Sequence, residues 1–303
     1  MTNITEIKGA LPAVRVRYDG AFDVLKTFDC GQCFRFDRVE NSRHEVEFSG
    51  VAHGKFISFA QDGDELYIYN TTEDEVERVW RHYLGLDVDY DAIDADLLSR
   101  CKSTDFSDAL EYGRGIRILN QDPYEMTVSA IITQNNNIPR IKQIIERLSD
   151  SCGVPIDLPE GAEEHMSGRS SLHVFPTAEA LLEYGEERLF AAKTGFRAKY
   201  IYDAVKKICD GDISPEEIRN VSDTALASDM LCTVKGIGPK VAACILLFGM
   251  EHYDAFPIDV WIKRAMGKYF PNGDFTHESF GPFAGIAQQY LFYYERYKVG
   301  NNK

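Results

Sequence analysis

No stretch of this 303-residue chain is apolar for long enough to cross a bilayer. The longest uninterrupted apolar run lies within VKGIGPKVAACILLF (Val234–Phe248), far short of the roughly 20 residues a spanning helix needs. The opening MTNITEIKG lacks the basic-then-apolar order of a secretory signal. Internal repeats and low-complexity tracts are also missing. Cysteine is scarce and odd in number, seven at scattered spacing, which suits reduced thiols in a cytoplasm better than a disulfide framework. Positive charge is in deficit too: 33 Lys and Arg face 48 Asp and Glu, a net charge of −15. Taken over the whole chain, that deficit argues against a nucleic-acid partner.

Net charge is a global quantity, however, and one patch can oppose it. Between Leu231 and Tyr269 stand five basic residues (Lys235, Lys240, Lys263, Arg264, Lys268) against three acidic ones (Glu251, Asp254, Asp259). This segment is basic inside an acidic protein, so its sign points to an anion.

The length is ample for a real core in one large or two ordinary domains. The first third reads as strands: VRVRY (Val14–Tyr18), CFRFDRV (Cys33–Val39), HEVEFSG (His44–Gly50), KFISFA (Lys55–Ala60) and ELYIYN (Glu65–Asn70). Short turns such as Asp62-Gly63-Asp64 separate them, which implies an antiparallel sheet. From Glu73 the period becomes helical, with Val76, Val79, Trp80, Tyr83 and Leu84 on one stripe. Asp122-Pro123 predicts an N-cap with proline in the first turn, and Ser214-Pro215-Glu216-Glu217 predicts a capping box. Cys152–Pro176 has little periodicity and reads as a loop or insertion. The fold class is therefore α+β, a sheet-bearing domain over 1–105 followed by a mainly helical domain over 106–303.

Within Val234–Phe248, Gly236 and Gly238 are expected to take backbone conformations closed to other residues, and Pro239 to open a helix. Amide groups of a glycine turn at a helix N-terminus suit a phosphate, although the same residues also serve as an ordinary helix start. Lys240 is the only charged residue from Pro239 to Met250, and the run around it predicts a helix buried on every side. Desolvation and a helix dipole both favour the neutral form of an amine, which is the nucleophilic form. The plain alternative is a lysine whose head reaches water. Cys244 and Phe248 share the face of Lys240 and would either line a wall beside it or belong to the core. Asp259 is expected to cap a helix beginning near Val260 while presenting a carboxylate able to stabilise positive charge or move protons.

Together these residues resemble the helix-hairpin-helix glycosylase (HhH-GPD) superfamily of base-excision repair. The hairpin is Val234–Lys240 (within a helical pair over 231–250), and the Pro-x-Asp element is Pro257-Ile258-Asp259, with the aspartate nineteen residues after the lysine. CGQCFRF (Cys30–Phe36), QNNNIPR (Gln134–Arg140), GFRAKY (Gly195–Tyr200) and GPFAGIAQQYLF (Gly281–Phe292) narrow the resemblance to 8-oxoguanine DNA glycosylases of the eukaryotic type. It runs from about Val24 to the last helix.

The resemblance implies Lys240 as the nucleophile at the sugar C1′ and Asp259 as its assistant. It implies base recognition by the Gly31 carbonyl, Cys244, Phe248, Gln288 and Phe292. Asn135, Arg140 and Arg197 would face the opposing cytosine, Phe196 would wedge into the duplex, and Gly236 and Gly238 would hold the backbone. The partner would be duplex DNA carrying 8-oxoguanine, met by a monomer with no membrane attachment, in the bacterial cytoplasm or a nucleus. No metal or organic cofactor is implied, though a monovalent cation on the hairpin carbonyls is compatible. Three positions depart from the family pattern: Phe248 for methionine, Phe196 for tyrosine, and Trp261 for a phosphate-contacting histidine. Alternative readings are a glycosylase for alkylated purines or a DNA-binding hairpin without chemistry. An endonuclease III-like enzyme would need a four-cysteine cluster near its end, and the last cysteine here is Cys244.

Overall fold

The computed structural model describes residues 3–168, 172–273 and 275–299. Six strands form one antiparallel sheet: β1 (Asn3–Ile7), β2 (Ala13–Arg17), β3 (Phe36–Arg38), β4 (Val46–Ala52), β5 (Lys55–Asp62) and β6 (Glu65–Tyr69). Their order across the sheet is β1-β2-β6-β5-β4-β3. The five predicted strands are all present: β3 and β6 are shorter than expected, β5 runs two residues longer, and β2 and β4 are shifted by one and two residues. β1 is an addition: NITEI is short and largely polar, and it becomes a strand by pairing Ile4 with Val16 at the sheet edge.

Side chains alternate across a strand, and both faces of this sheet are covered. The inner face carries Val14, Phe48, Ile57, Phe59 and Ile68 against Phe28, Trp80 and Tyr83. Trp80 is fully buried, meeting Phe59 and Tyr83 edge-on at 5.7 Å each. Outward-pointing Ala13, Val51, Phe56, Ala60 and Tyr69 would face water were it not for the segment read as an unassigned insertion. That segment is a strap. It folds back through hydrogen bonds from Ile156 N to Leu172 O (2.8 Å) and from Val174 N to Val154 O (2.9 Å). It then lays Ala162 and Leu172 on the outer face.

A polar pin fastens the strap. Glu47, on β4, accepts from Ser58 Oγ (2.5 Å), from Ser42 Oγ, and at 2.6 Å from His165 Nδ1, while the His165 ring lies 3.9 Å from that of Tyr69. Burial alone would push the Glu47 carboxyl up. The hydrogen bonds from His165, Ser42 and Ser58 outweigh burial and hold it below the usual carboxylate range.

Beyond the sheet the chain is helical, and helix starts follow local chemistry. Asp122 caps Pro123–Thr133 by accepting from Glu125 N at 2.7 Å. Ser214 accepts from Glu217 N at 3.2 Å, the forward half of the predicted capping box. The helical core also takes in Cys30 and Phe34 from the segment before β3, which brings that segment to the functional site.

A carboxylate with a depressed folded pKa stabilises the fold above its unfolded value and loses that contribution as pH falls through the folded value. Thermal stability should therefore drop on acidification below the usual carboxylate range, and Glu47→Gln should flatten that drop. His165→Ala, which strips a buried carboxylate of a partner, should cost about 3–5 kcal/mol in denaturant unfolding at neutral pH.

Candidate active site

Helix Pro239–Gly249 begins at the hairpin, and its first turn projects beyond the core. Val241, Ala242 and Ile245–Met250 are buried, but Pro239 and Lys240 are exposed, so the expected burial on every side holds only from the second turn. Lys240 stands at the wall of a cavity of about 410 Å³. Cys244 and Phe248, one and two turns on, line the same cavity, as the spacing predicted. Burial pushes the Cys244 thiol up, partly offset by the Lys240 ammonium beside it, so the wall presents a neutral sulfur.

Asp259 lines the cavity from the opposite chain segment and caps helix Val260–Tyr269. Its Oδ1 accepts from Trp261 N (2.9 Å) and Ile262 N (2.8 Å). Both bonds fall on one oxygen, which leaves Oδ2 without a hydrogen bond among the described residues.

Helix Ala284–Tyr293 supplies the floor and one face. Gln288 is 4% exposed and donates from Nε2 to Pro257 O at 3.2 Å, while its Oε1 is buried and unpartnered. An orphaned buried acceptor costs about 1–3 kcal/mol unless a partner arrives. Phe292 completes the face.

Gly31 closes the cavity from the N-terminal segment. Its φ is +87°, and a methyl group there would sit 3.2 Å from Ile138 Cδ1. Its neighbour Gln32 is structural: Nε2 donates to Thr27 O (2.9 Å) and Arg117 O (2.7 Å), and Oε1 accepts from Leu119 N (2.9 Å). Gln121 Nε2 then donates both to Gln32 O (2.9 Å) and to Phe248 O (3.1 Å), tying the Gly31 loop to the Lys240 helix.

Seven of the thirteen predicted site residues thus meet in one cavity: Gly31, Lys240, Cys244, Phe248, Asp259, Gln288 and Phe292. The other six lie outside it. Asn135 and Arg140 are exposed, and Asn137 between them caps the next helix through Arg140 N (3.0 Å). Phe196 is 46% exposed, while Arg197 is only 4% exposed. All three Arg197 guanidinium nitrogens donate to main-chain carbonyls: Nε to Gln134 (2.7 Å), Nη1 to Thr194 (3.1 Å), and Nη2 to Asn135 (3.0 Å) and Gln134. Burial, with the nearby Arg140 charge, lowers its pKa. Arg197 therefore holds the loop that presents Asn135 rather than standing at the surface itself.

Gly236 has φ +82°, and a methyl group there would fall 2.3 Å from the Tyr200 ring, so no side chain fits. Gly238 differs from expectation. Its φ of −107° is open to any residue, and a methyl group would meet nothing within 4 Å. What its bare α-carbon leaves is room for close approach from outside.

The cavity also holds residues that local pattern could not flag, among them Met126, Ile138, Trp261 and Arg296. Cys30 lines it as well, with burial pushing its thiol up to about 12, which fits a packing role for the Cys30-x-x-Cys33 pair. Among the described residues no group of three or more His, Cys, Asp or Glu side chains is placed to hold a metal ion. The basic count over 231–269 also shrinks in three dimensions. Lys235 pairs with Asp203 (3.4 Å) and Lys268 with Glu295 (3.4 Å), acids that the segment itself does not contain.

A glycine hairpin, an exposed aromatic and a cavity with an amine and a carboxylate in its wall are the parts of an enzyme site. Comparison with known proteins agrees. Residues 16–127 match the family model of the 8-oxoguanine DNA glycosylase N-terminal domain, and residues 128–279 match that of the HhH-GPD superfamily base excision DNA repair proteins. The chain belongs to the HhH-GPD superfamily. The N-glycosylase/DNA lyase OGG1 of Arabidopsis thaliana is 29% identical over 88% of this chain and 75% of that protein. The 8-oxoguanine glycosylase/lyase of Clostridium acetobutylicum, solved with double-stranded DNA containing cytosine opposite 8-oxoG, is 36% identical with a TM-score of 0.85 over 99% of both chains. The 3-methyladenine DNA glycosylase of Archaeoglobus fulgidus, at 20% identity and TM-score 0.68 over 94% of this chain and 99% of that one, shares the fold.

The two hairpin glycines should separate in thermal unfolding. Gly236→Ala, strained in φ and overlapping Tyr200, should destabilise by about 1–3 kcal/mol. Gly238→Ala should unfold at the wild-type temperature.

Proposed function

We propose that this protein excises 8-oxoguanine from duplex DNA, preferentially opposite cytosine, and then nicks the strand at the resulting abasic site. The observation that carries this reading is the convergence of Lys240, Asp259 and the unpartnered Gln288 amide oxygen in one cavity.

The damaged nucleotide leaves the duplex at an unstacking cost of a few kcal/mol, with Phe196 filling the gap. In the cavity the base lies between Cys244 and Phe292, with Phe248 packing behind it. Gln288 Oε1 accepts from the Watson–Crick edge, which relieves its orphaned state. The Gly31 carbonyl accepts N7–H, a proton that 8-oxoguanine carries and guanine lacks.

Lys240, whose head reaches water, gives a proton to it, and the lone pair of the resulting amine forms a bond to C1′ as the bond from C1′ to N9 breaks. The departing pair stays on the base, which takes up a proton. Positive character at the sugar is stabilised by Asp259, whose Oδ1 the helix amides fix while Oδ2 makes no hydrogen bond among the described residues. Opening of the sugar gives a Schiff base, and loss of a C2′ proton expels the 3′ phosphate. Asn135 and Arg140, with the loop held by Arg197, face the cytosine left behind. Gly238, where an added methyl group would meet nothing within 4 Å, leaves room for a phosphate at the helix start. The site of action is wherever the DNA lies, nucleoid or nucleus.

Lys240→Gln should lose excision and nicking while keeping lesion binding. Borohydride should trap a protein–DNA adduct with wild type and none with this variant, and an adduct in the variant would remove Lys240 as the nucleophile. Duplexes with each of the four bases opposite 8-oxoguanine should be cut about ten-fold faster or more when that base is cytosine. Comparable cutting opposite adenine would contradict the assigned cytosine face, and excision of 3-methyladenine in place of 8-oxoguanine would contradict the substrate.

A further inference from the structure

Arg296 is half-buried in the cavity wall, and its guanidinium makes no hydrogen bond or ion pair among the described residues. Its guanidinium carbon lies 5.7 Å from the Phe292 ring and 5.0 Å from that of Tyr297, and its charge offsets part of the rise that burial imposes on the Asp29 carboxyl. Its Nη1 lies 3.5 Å from where a methyl group on Gly31 would be, so the cation stands directly beside the Gly31 main chain. Its N–H donors are held by no protein acceptor and, unlike the buried Gln288 oxygen, still reach water, so a ligand acceptor can take the place of that water. The two differ in sign and in position. Gln288, Phe292 and Arg296 follow one another along the same helical stripe, from the fully buried floor to the half-buried rim.

That stripe fixes an order, resting on the functional reading above. The Watson–Crick edge meets Gln288 at the floor, and the glycosidic bond meets Lys240 at the mouth. Along the remaining edge, from floor to mouth, come O6, N7–H and O8. Gly31 takes N7–H, so the position next toward the rim is O8.

We infer that Arg296 is a specificity-determining residue that donates to the C8 oxygen of the extruded base. With the Gly31 carbonyl it forms an acceptor and donor pair matched to N7–H and O8. Guanine offers neither feature, since its N7 is a bare acceptor and its C8 carries hydrogen. Loss of one charge-assisted hydrogen bond corresponds to roughly ten- to hundred-fold in rate.

The test is single-turnover excision of 8-oxoguanine opposite cytosine by wild type, Arg296→Met and Arg296→Lys, beside nicking of a preformed abasic site. Arg296→Met should slow excision about ten- to hundred-fold and leave abasic-site nicking within about two-fold. Arg296→Lys should recover part of the loss. The nicking assay also reports that the variant is folded. An equal loss in both assays would place Arg296 on the DNA backbone and overturn the inference, as would no loss in either. Repeating the comparison in a Phe292→Leu background separates direct contact from support of the ring. Direct contact predicts that the two losses multiply, and disappearance of the Arg296 effect in that background would overturn it. Binding of Lys240→Gln, with and without Arg296→Met, to duplexes carrying 8-oxoadenine separates the two oxygens. That base keeps N7–H and O8 but replaces O6 with an amino group, so an unchanged affinity would assign the contact to O6 instead. Wild type inactive on 8-oxoguanine would sink the functional reading itself; active wild type matched by Arg296→Met would sink only this inference.

Discussion

The cavity exists because two segments more than 200 residues apart are held at a fixed distance by one glutamine pair. Gln32 is fully buried and spends its amide on main-chain groups of Thr27, Arg117 and Leu119, with the Cys30 sulfur 3.4 Å from Nε2. Gln121 then bridges the Gln32 carbonyl to the Phe248 carbonyl at the far end of the Lys240 helix. Amide-to-carbonyl bonds in a dry interior are directional and costly to break, so the spacing between Gly31 and the helix wall is set to hydrogen-bond precision. Arg117 reinforces the same seam, donating to the carbonyls of Ala21 (2.7 Å), Gly85 (3.0 Å) and Val88 (3.1 Å) while its charge lies 4.2 Å from the Tyr90 ring. A base pocket needs this rigidity, since the difference between guanine and its oxidised form is one proton and one oxygen.

Electrostatics follows the same division of labour. The body of the protein is acidic, and several of its cations are neutralised where they stand, Lys235 by Asp203 and Lys268 by Glu295. Lys240, Lys263 and Arg264 have no ion pair among the described residues, and Arg140 is exposed on the opposing-base loop. Positive charge is thus scarce and local. An acidic surface elsewhere disfavours indiscriminate adhesion to the duplex, while the remaining cations stand close to where a phosphate backbone must pass.

How much of this was legible depended on the range of the interaction. Asp122, Ser214 and Asp259 cap helices within three residues of themselves, so their placement could be read directly. The grouping of Lys240, Cys244 and Phe248 followed from helical spacing, and that of Gly31, Gln288 and Phe292 from resemblance to a family. Gln32 and Gln121 act across 85 residues or more, and nothing in their neighbours betrays them. Lys240 looked buried because apolar residues follow it, but a first turn can project from the core while the later turns sit inside it. Gly238 looked conformationally necessary because Gly236 is. The strap had no periodicity to read because it is held by two hydrogen bonds across its base and by contacts with a distant sheet face, neither of which imposes a repeat. β1 hid because a polar edge strand needs only a partner. Arg197 was assigned to the surface by motif, and its bonds to the Gln134 and Asn135 carbonyls belong to a tertiary contact 62 or 63 residues away.

The two tryptophans occupy opposite extremes of environment. Trp80 is sealed beneath the sheet among Phe59 and Tyr83, while Trp261 stands in the cavity wall next to Asp259 with the Arg264 cation 5.5 Å from its ring. The first indole therefore emits against a surrounding that no ligand alters, and the second against one that a purine must enter. The protein carries its own optical gauge of whether a nucleotide has left the helix, with a built-in constant against which to read it.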